Sequence, residues 1–343
     1  MTKKVILTLV KTVLPLLLGV YLVWYFFSSM SPESKELFYT AIVEANYFWI
    51  VLSLILGVVA YLSRAYRWKY MLEPLGHQTN FWNRYHAVMI GYLVNLTIPR
   101  AGEASRCGML YRSDGVPFST SIGTIIAERA VDLIMLVGIA FLTVFVAGQD
   151  AMAIKEQIQA TFGGSNSTSG GFPWKFVFYG VIATVGILFT YLFVFKPAIR
   201  AKLIGFAKEV LQGLFSIFKT KNPLGYLLHT AIIWGCYLVM FALPFQSLVQ
   251  TQDIPLAGIL VGFIAGSLGI TFTNGGIGTY PLLVGLVVAF YIGKDYPEDA
   301  QAIGNALGML VWVTQTLLMI VLGLLSMVLL PTNYKTDGSL QEN

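Results

Sequence analysis

Asn95 to Arg112 reads NLTIPRAGEASRCGMLYR, a charged stretch that opens at the end of an apolar run and sits inside a chain that is otherwise apolar from end to end. Arg100, Glu103 and Arg106 stand three apart. If the chain is helical from Ala101 onward, that spacing stacks all three on adjoining turns of one face, where the carboxylate can hold both guanidinium groups. Two fixed Arg forks at the end of a broken apolar helix suit a phosphate or carboxylate at membrane depth. The run before the break, Tyr85 to Ile98, is too short to cross a hydrocarbon core about 30 Å thick, and Pro99 stops it. It reads as the descending arm of a re-entrant hairpin, with Gly102 to Tyr111 climbing back to the same side.

The rest of the chain supports a membrane setting. Of 343 residues 56% are hydrophobic and only 11% charged, whereas soluble domains carry about 25% charge. Lys3 and Lys4 precede an apolar run from Val5 to Phe27 that exceeds the signal-peptide range of about 7 to 15 residues, so it reads as a retained first span. Ser28 to Asn46 reads as a polar outside loop. Tyr47 to Leu62 crosses back to Arg64, Arg67, Trp68 and Lys69, a basic and aromatic edge of the kind that anchors a span where anionic headgroups lie. Phe118 to Ala147 and Trp174 to Phe195 are further spans, separated by the flexible polar loop GGSNSTSGG at 163–171. Residues 196–222 carry six Lys or Arg, with apolar residues at helical spacing, and form an amphipathic helix on the cytoplasmic face. Tyr226 to Val249 crosses outward.

A second break follows. Ile254 to Thr273 enters the membrane, Asn274, Gly275, Gly276, Ile277, Gly278, Thr279, Tyr280 and Pro281 interrupt it, and an apolar run then continues only to Ile292. This reads as a second discontinuous hairpin, opening to the outside. One reading of its glycines is a tight turn using positive φ. The other adds backbone N–H groups turned toward an anion. Ala302 to Leu330 is the last span. Keeping Arg100, Arg106 and Arg112 on the inside, as the hairpin reading does, fits the concentration of Lys and Arg there.

The expected architecture is an all-α polytopic membrane protein with about six full spans and two re-entrant or broken hairpins from opposite faces, an inverted-repeat arrangement as in many secondary transporters. It forms one integral membrane domain over 1–331, with a short tail at 332–343 and both termini cytoplasmic.

Within the span from Phe118, Glu128, Arg129 and Asp132 cluster on one side of an apolar helix. Each ionisable group there costs at least about 2.5 kcal/mol to insert, and such groups face a bundle interior or an aqueous cavity. Two readings stand. Glu128 and Asp132 neutralise Arg100, Arg106 or Arg129 as structural glue, or the network leaves Arg donors available to a lipid headgroup. Cys107 and Cys236 are buried thiols, and His77, His86 and His229 lie apart from any ligand set, so neither metal nor cofactor is expected. No nucleophile motif, phosphate loop or nucleic-acid signature is present.

Four motifs, RAYRWKYML at 64–72, IPRAGEASR at 98–106, ERAVD at 128–132 and GGIGT at 275–279, resemble the flippase-like transmembrane family found as the membrane half of lysylphosphatidylglycerol synthases. The resemblance covers nearly the whole chain. It implies a bacterial cytoplasmic-membrane protein that moves an anionic phospholipid or a polyprenyl-phosphate-linked lipid carrier between leaflets. It carries Arg100, Gly102, Glu103, Arg106, Glu128, Arg129, Asp132, Gly275, Gly276 and Gly278. The soluble aminoacyl-transferase domain of the two-domain synthases is expected to be absent, so the chain is not expected to be an enzyme. Thr273 and Asn274 stand where the family often has prolines, and Tyr280 where it has an acid. The headgroup-binding set is thus Arg100, Arg106, Arg129, Arg64 and Arg67, with Glu103, Glu128 and Asp132 positioning them and Asn274 to Thr279 as hinge or second contact. The other readings are a non-catalytic membrane partner of a lipid- or glycan-modifying enzyme, and an intramembrane transferase using Glu103 or Glu128 as base. The oligomeric state is open.

Overall fold

The structure is a computed structural model that describes residues 21, 24, 28, 32–98, 101–148 and 222–331. Apart from Tyr21, Trp24 and Asn222, the expected spans at 5–27 and 174–195, the loop at 163–171, the amphipathic helix at 196–222, the tail at 332–343 and Arg100 lie outside the described residues.

The described elements are helical throughout: α1 (Pro32–Val43), α2 (Tyr47–Leu72), α3 (Phe81–Thr97), α4 (Ala101–Asp114), α5 (Phe118–Val146), α6 (Pro223–Ala242), α7 (Leu256–Phe272), α8 (Thr279–Ile292) and α9 (Ala300–Leu329). Four of them, α2, α5, α6 and α9, are long and apolar enough to cross a membrane, and α3, α4, α7 and α8 are the arms of the two breaks. One expectation is corrected here. The segment from Ser28 to Asn46 is not a loop, because Pro32–Val43 is a helix that packs against α9 and buries Phe38.

Local chemistry sets the boundaries. The Asn46 side chain caps α2 by accepting from the Phe48 N–H at 3.1 Å, and Asn80 caps α3 by accepting from the Trp82 N–H at 2.8 Å. Asn80 also donates its own N–H to the Asp114 carboxylate at 2.9 Å. The start of α3 is thereby tied to the end of α4, so both feet of the first hairpin lie at one level. Its 17-residue α3 arm reaches only about 25 Å at 1.5 Å per residue.

Close approach of the arms depends on small residues. A Cβ at Gly102 would overlap the Gly91 carbonyl oxygen and the Asn95 side chain. Asn95 Oδ1 in turn accepts from the Gly102 N–H at 2.8 Å. In the second hairpin α7 and α8 pack together, and Gly275, Gly276 and Gly278 adopt φ of 62°, 79° and 74°, a region that only glycine enters without strain.

Helix α9 runs alongside both hairpins. Its first half meets α8, where Gly304 and Gly308 face the Gly285 and Pro281 carbonyls. Its second half meets α3, with Gly323 against Leu93 and Ser326 in a 3.0 Å hydrogen bond with His86. The feet of the two hairpins therefore lie toward opposite ends of one full-length span. Their tips meet between: Asn274 Nδ2 donates to the Thr97 carbonyl at 3.4 Å, Gly275 sits against Leu96, and Trp312 Nε1 donates to the Gly275 carbonyl at 2.7 Å. Trp312 is about 18 Å along α9 from Ala300, which puts the junction near mid-depth.

Replacing Gly102 with Ala is expected to force the hairpin arms apart and lower the thermal unfolding midpoint in detergent, at a cost of about 1–3 kcal/mol. Gly108, on the same helix but with nothing near its Cβ position, should accept Ala with no loss.

Candidate functional site: a buried arginine–carboxylate chain

Where α2, α4, α5 and α6 converge, five charged side chains alternate. Arg64 Nη2 donates to Asp132 Oδ2, and Asp132 Oδ1 also accepts from Arg67 Nη2 at 2.9 Å. Arg67 reaches Glu128 Oε1 at 3.4 Å, and Glu128 Oε2 accepts from Arg106 Nη1 at 2.6 Å. Arg67 and Glu128 have no solvent exposure, while Arg64 and Arg106 are 5% and 6% exposed. The helical spacings produce this order: Arg64 and Arg67 stand one turn apart on α2, and Glu128 and Asp132 one turn apart on α5, so two parallel rungs interleave.

Neighbouring helices complete the chain. Arg64 Nη1 donates to the Tyr237 hydroxyl at 3.3 Å, and Arg67 Nη1 to Thr230 Oγ1 at 3.2 Å, both on α6. The Arg106 guanidinium lies 3.6 Å over the Trp68 ring, a stacked arrangement that holds a desolvated cation. Trp68 is itself fixed by its Nε1 donating to Thr124 Oγ1 at 2.8 Å.

Three guanidinium groups against two carboxylates leave one positive charge in the interior. It is not evenly shared, because Arg106 uses only Nη1, and its Nε and Nη2 are buried with no partner. These two donors form the edge of the guanidinium that engages phosphate or carboxylate in bidentate fashion. Arg106 lines a small cleft together with Arg64, Gly91, Asn95, Glu103 and Arg129. At its rim, half-exposed Arg129 donates from Nη2 to Glu103 Oε1 at 2.7 Å.

The pairing corrects two sequence expectations. Glu103 does not hold Arg106, although it lies three residues before it; Glu103 pairs with Arg129 and Arg106 turns to Glu128 across the helix interface. Arg64 and Arg67 are not an interfacial edge, since both point into the bundle and carry the acids of α5. Trp68, expected at an interface, instead stacks on Arg106, and Tyr237 and Thr230 were not anticipated. Their signal was the recurrence of Tyr226, Thr230, Trp234 and Tyr237 at helical spacing in an otherwise apolar span.

The glycine break lies apart from the charge chain. Its Gly276 N–H donates to the Thr273 carbonyl at 3.2 Å within the turn, and Thr273 and Thr279 share a hydroxyl hydrogen bond of 2.7 Å. Tyr280 packs its ring against Gly266. Among the described residues no cluster of His, Cys, Asp and Glu could hold a metal ion.

Residues 12–296 match the family model described as the lysylphosphatidylglycerol synthase TM region. The chain belongs to this family. A UPF0104 membrane protein of Methanocaldococcus jannaschii is similar to it, 28% identical over 110 residues, which is 31% of this chain and 32% of that protein. No solved structure matches the chain. Family membership agrees with an all-helical membrane protein and with a lipid-related setting, as the resemblance implied.

Substituting Glu128 with Gln leaves Arg67 and Arg106 short of a counter-charge in a buried site. A destabilisation of about 3–5 kcal/mol is expected, read as a lowered unfolding midpoint in detergent. Glu103→Gln breaks only a half-exposed pair and should cost no more than about 1 kcal/mol.

Proposed function

We propose that the protein translocates a lipid with an anionic phosphate headgroup, a phospholipid or a polyprenyl-phosphate-linked carrier, across the bacterial cytoplasmic membrane, both termini lying inside. The observation that carries this reading is the unpartnered Nε and Nη2 edge of Arg106, a residue that lines the cleft beside the first hairpin. A buried guanidinium edge without a partner is costly to maintain, and a phosphate oxygen pair satisfies both donors and the surplus charge together. A phosphate reaching this edge leaves water for a site between the leaflets, which is the step that limits lipid exchange.

The surrounding residues divide the work. Glu128 anchors Arg106 through Nη1 and so leaves its other edge for the ligand, while Trp68 supports the flat face. Arg64, Arg67 and Asp132 brace Glu128 from behind. Arg129 adds a second cation at the mouth. The meeting of the hairpin tips near mid-depth offers a place where the path changes from one face to the other, as in transporters built from discontinuous helices. The family description, which names the membrane region of a lipid synthase, fits a lipid as cargo. In this reading the residues bind and pass the headgroup, and no chemical step is assigned to them.

The test is leaflet exchange of tail-labelled fluorescent phosphatidylglycerol in proteoliposomes, read by an external quencher. Wild type is expected to exchange the probe, and Arg106→Gln to fall to the protein-free rate while still inserting and folding. Arg106→Lys keeps the charge but loses the planar fork, and should be at least about tenfold slower. Arg112→Gln, exposed on the same helix, should match wild type. Exchange by Arg106→Gln at the wild-type rate would contradict this reading and favour a membrane partner of a lipid- or glycan-modifying enzyme.

A further inference from the structure

Glu103 lines the same cleft as Arg106 and also has an unused polar atom. Glu103 gives Oε1 to Arg129, but its Oε2 is buried with no hydrogen-bond partner. Glu103 and Arg106 stand one turn apart on α4, so their side chains begin about 5–6 Å from each other on one face. A bare phosphate satisfies the guanidinium and leaves the carboxylate oxygen without a donor, with a second anion brought close to it. A headgroup with a hydroxyl or ammonium donor two or three carbons beyond the phosphate satisfies both.

We infer that Glu103 is a specificity-determining residue that selects, among phosphodiester lipids, those whose headgroup carries a hydrogen-bond donor beyond the phosphate. This rests on the reading of Arg106 as the phosphate site. The two groups divide recognition: Arg106 takes the phosphate common to all such lipids, and Glu103 takes the part that differs. Pairing with Arg129 occupies Oε1 and leaves Oε2 as the acceptor for the ligand. An unmet buried acceptor discriminates strongly against an analogue that lacks the donor, because its desolvation is then uncompensated.

The experiment measures binding of three dihexanoyl phosphodiester lipids to the purified full chain in detergent by native mass spectrometry. Phosphatidylethanolamine supplies an ammonium donor, phosphatidylglycerol supplies hydroxyl donors, and phosphatidylmethanol has the same phosphodiester with no donor. Wild type is expected to bind the first two about tenfold more tightly than the third. Glu103→Gln should bring the three within about twofold of one another. Arg106→Gln should weaken all three. Equal binding of the three lipids by wild type, with Arg106→Gln still weakening them, overturns the role of Glu103 and leaves the phosphate site standing. A ratio that survives in Glu103→Gln also overturns it. Binding of no lipid, or binding indifferent to Arg106→Gln, overturns the phosphate site and the selection with it.

Discussion

The structure depends on a charge imbalance kept out of water. Arg64, Asp132, Arg67, Glu128 and Arg106 form an alternating chain that begins and ends on a cation. In a low-dielectric interior each carboxylate must be shared between two guanidinium groups, which fixes α2 against α5 and brings α4 in through Arg106. Removing either carboxylate leaves the guanidinium at its end of the chain without an acid at depth. The same constraint explains why one edge of Arg106 is left over: two acids cannot saturate three Arg forks, and the shortfall shows as the unpartnered Nε of Arg67 and Nε and Nη2 of Arg106.

Backbone approach makes that arrangement reachable. Arg106 packs beside Gly91, and Gly102 lets α3 and α4 close to contact, so a charged helix too polar to cross alone is held inside a hairpin. Its arms need not span the bilayer because both feet return to one level through Asn80 and Asp114. The second hairpin solves the opposite problem. It is apolar throughout, and its glycines serve to reverse the chain and to present the Gly275 carbonyl to Trp312 and the Asn274 amide to Thr97. Helix α9, packed on both hairpins, keeps the two tips in register.

Much of this was legible in the sequence because it follows from composition and period. Apolar length gave the four spans among the described residues, Pro99 and the glycine run gave the breaks, and Glu128 and Asp132 four apart in an apolar helix gave the buried acids. Pairing was less legible. Spacing of three between Glu103 and Arg106 makes a contact within one helix available, yet Glu128 outcompetes it because a fully buried carboxylate needs a cation more than a rim carboxylate does. Arg64 and Arg67 follow an apolar run directly, which is also where interfacial anchors stand, and only the rotation of α2 against α5 distinguishes the two. Helix α1 was missed because its polar, low-amphipathicity sequence resembles a loop, and its helicity comes from packing against α9. Contacts from α6 depend on which face of an apolar span turns inward, which composition does not encode.

The central claim is that the free edge of Arg106 binds a lipid phosphate inside the bundle. The most direct measurement is a solid-state NMR dephasing experiment between lipid phosphorus and guanidinium nitrogen, on protein with 15N-labelled arginine in phosphatidylglycerol-containing bilayers, comparing wild type with Arg106→Lys. The account predicts phosphorus at hydrogen-bonding distance from a guanidinium that is shielded from water, with that signal lost in the variant. Dephasing that is absent, or that is identical in Arg106→Lys, would contradict it.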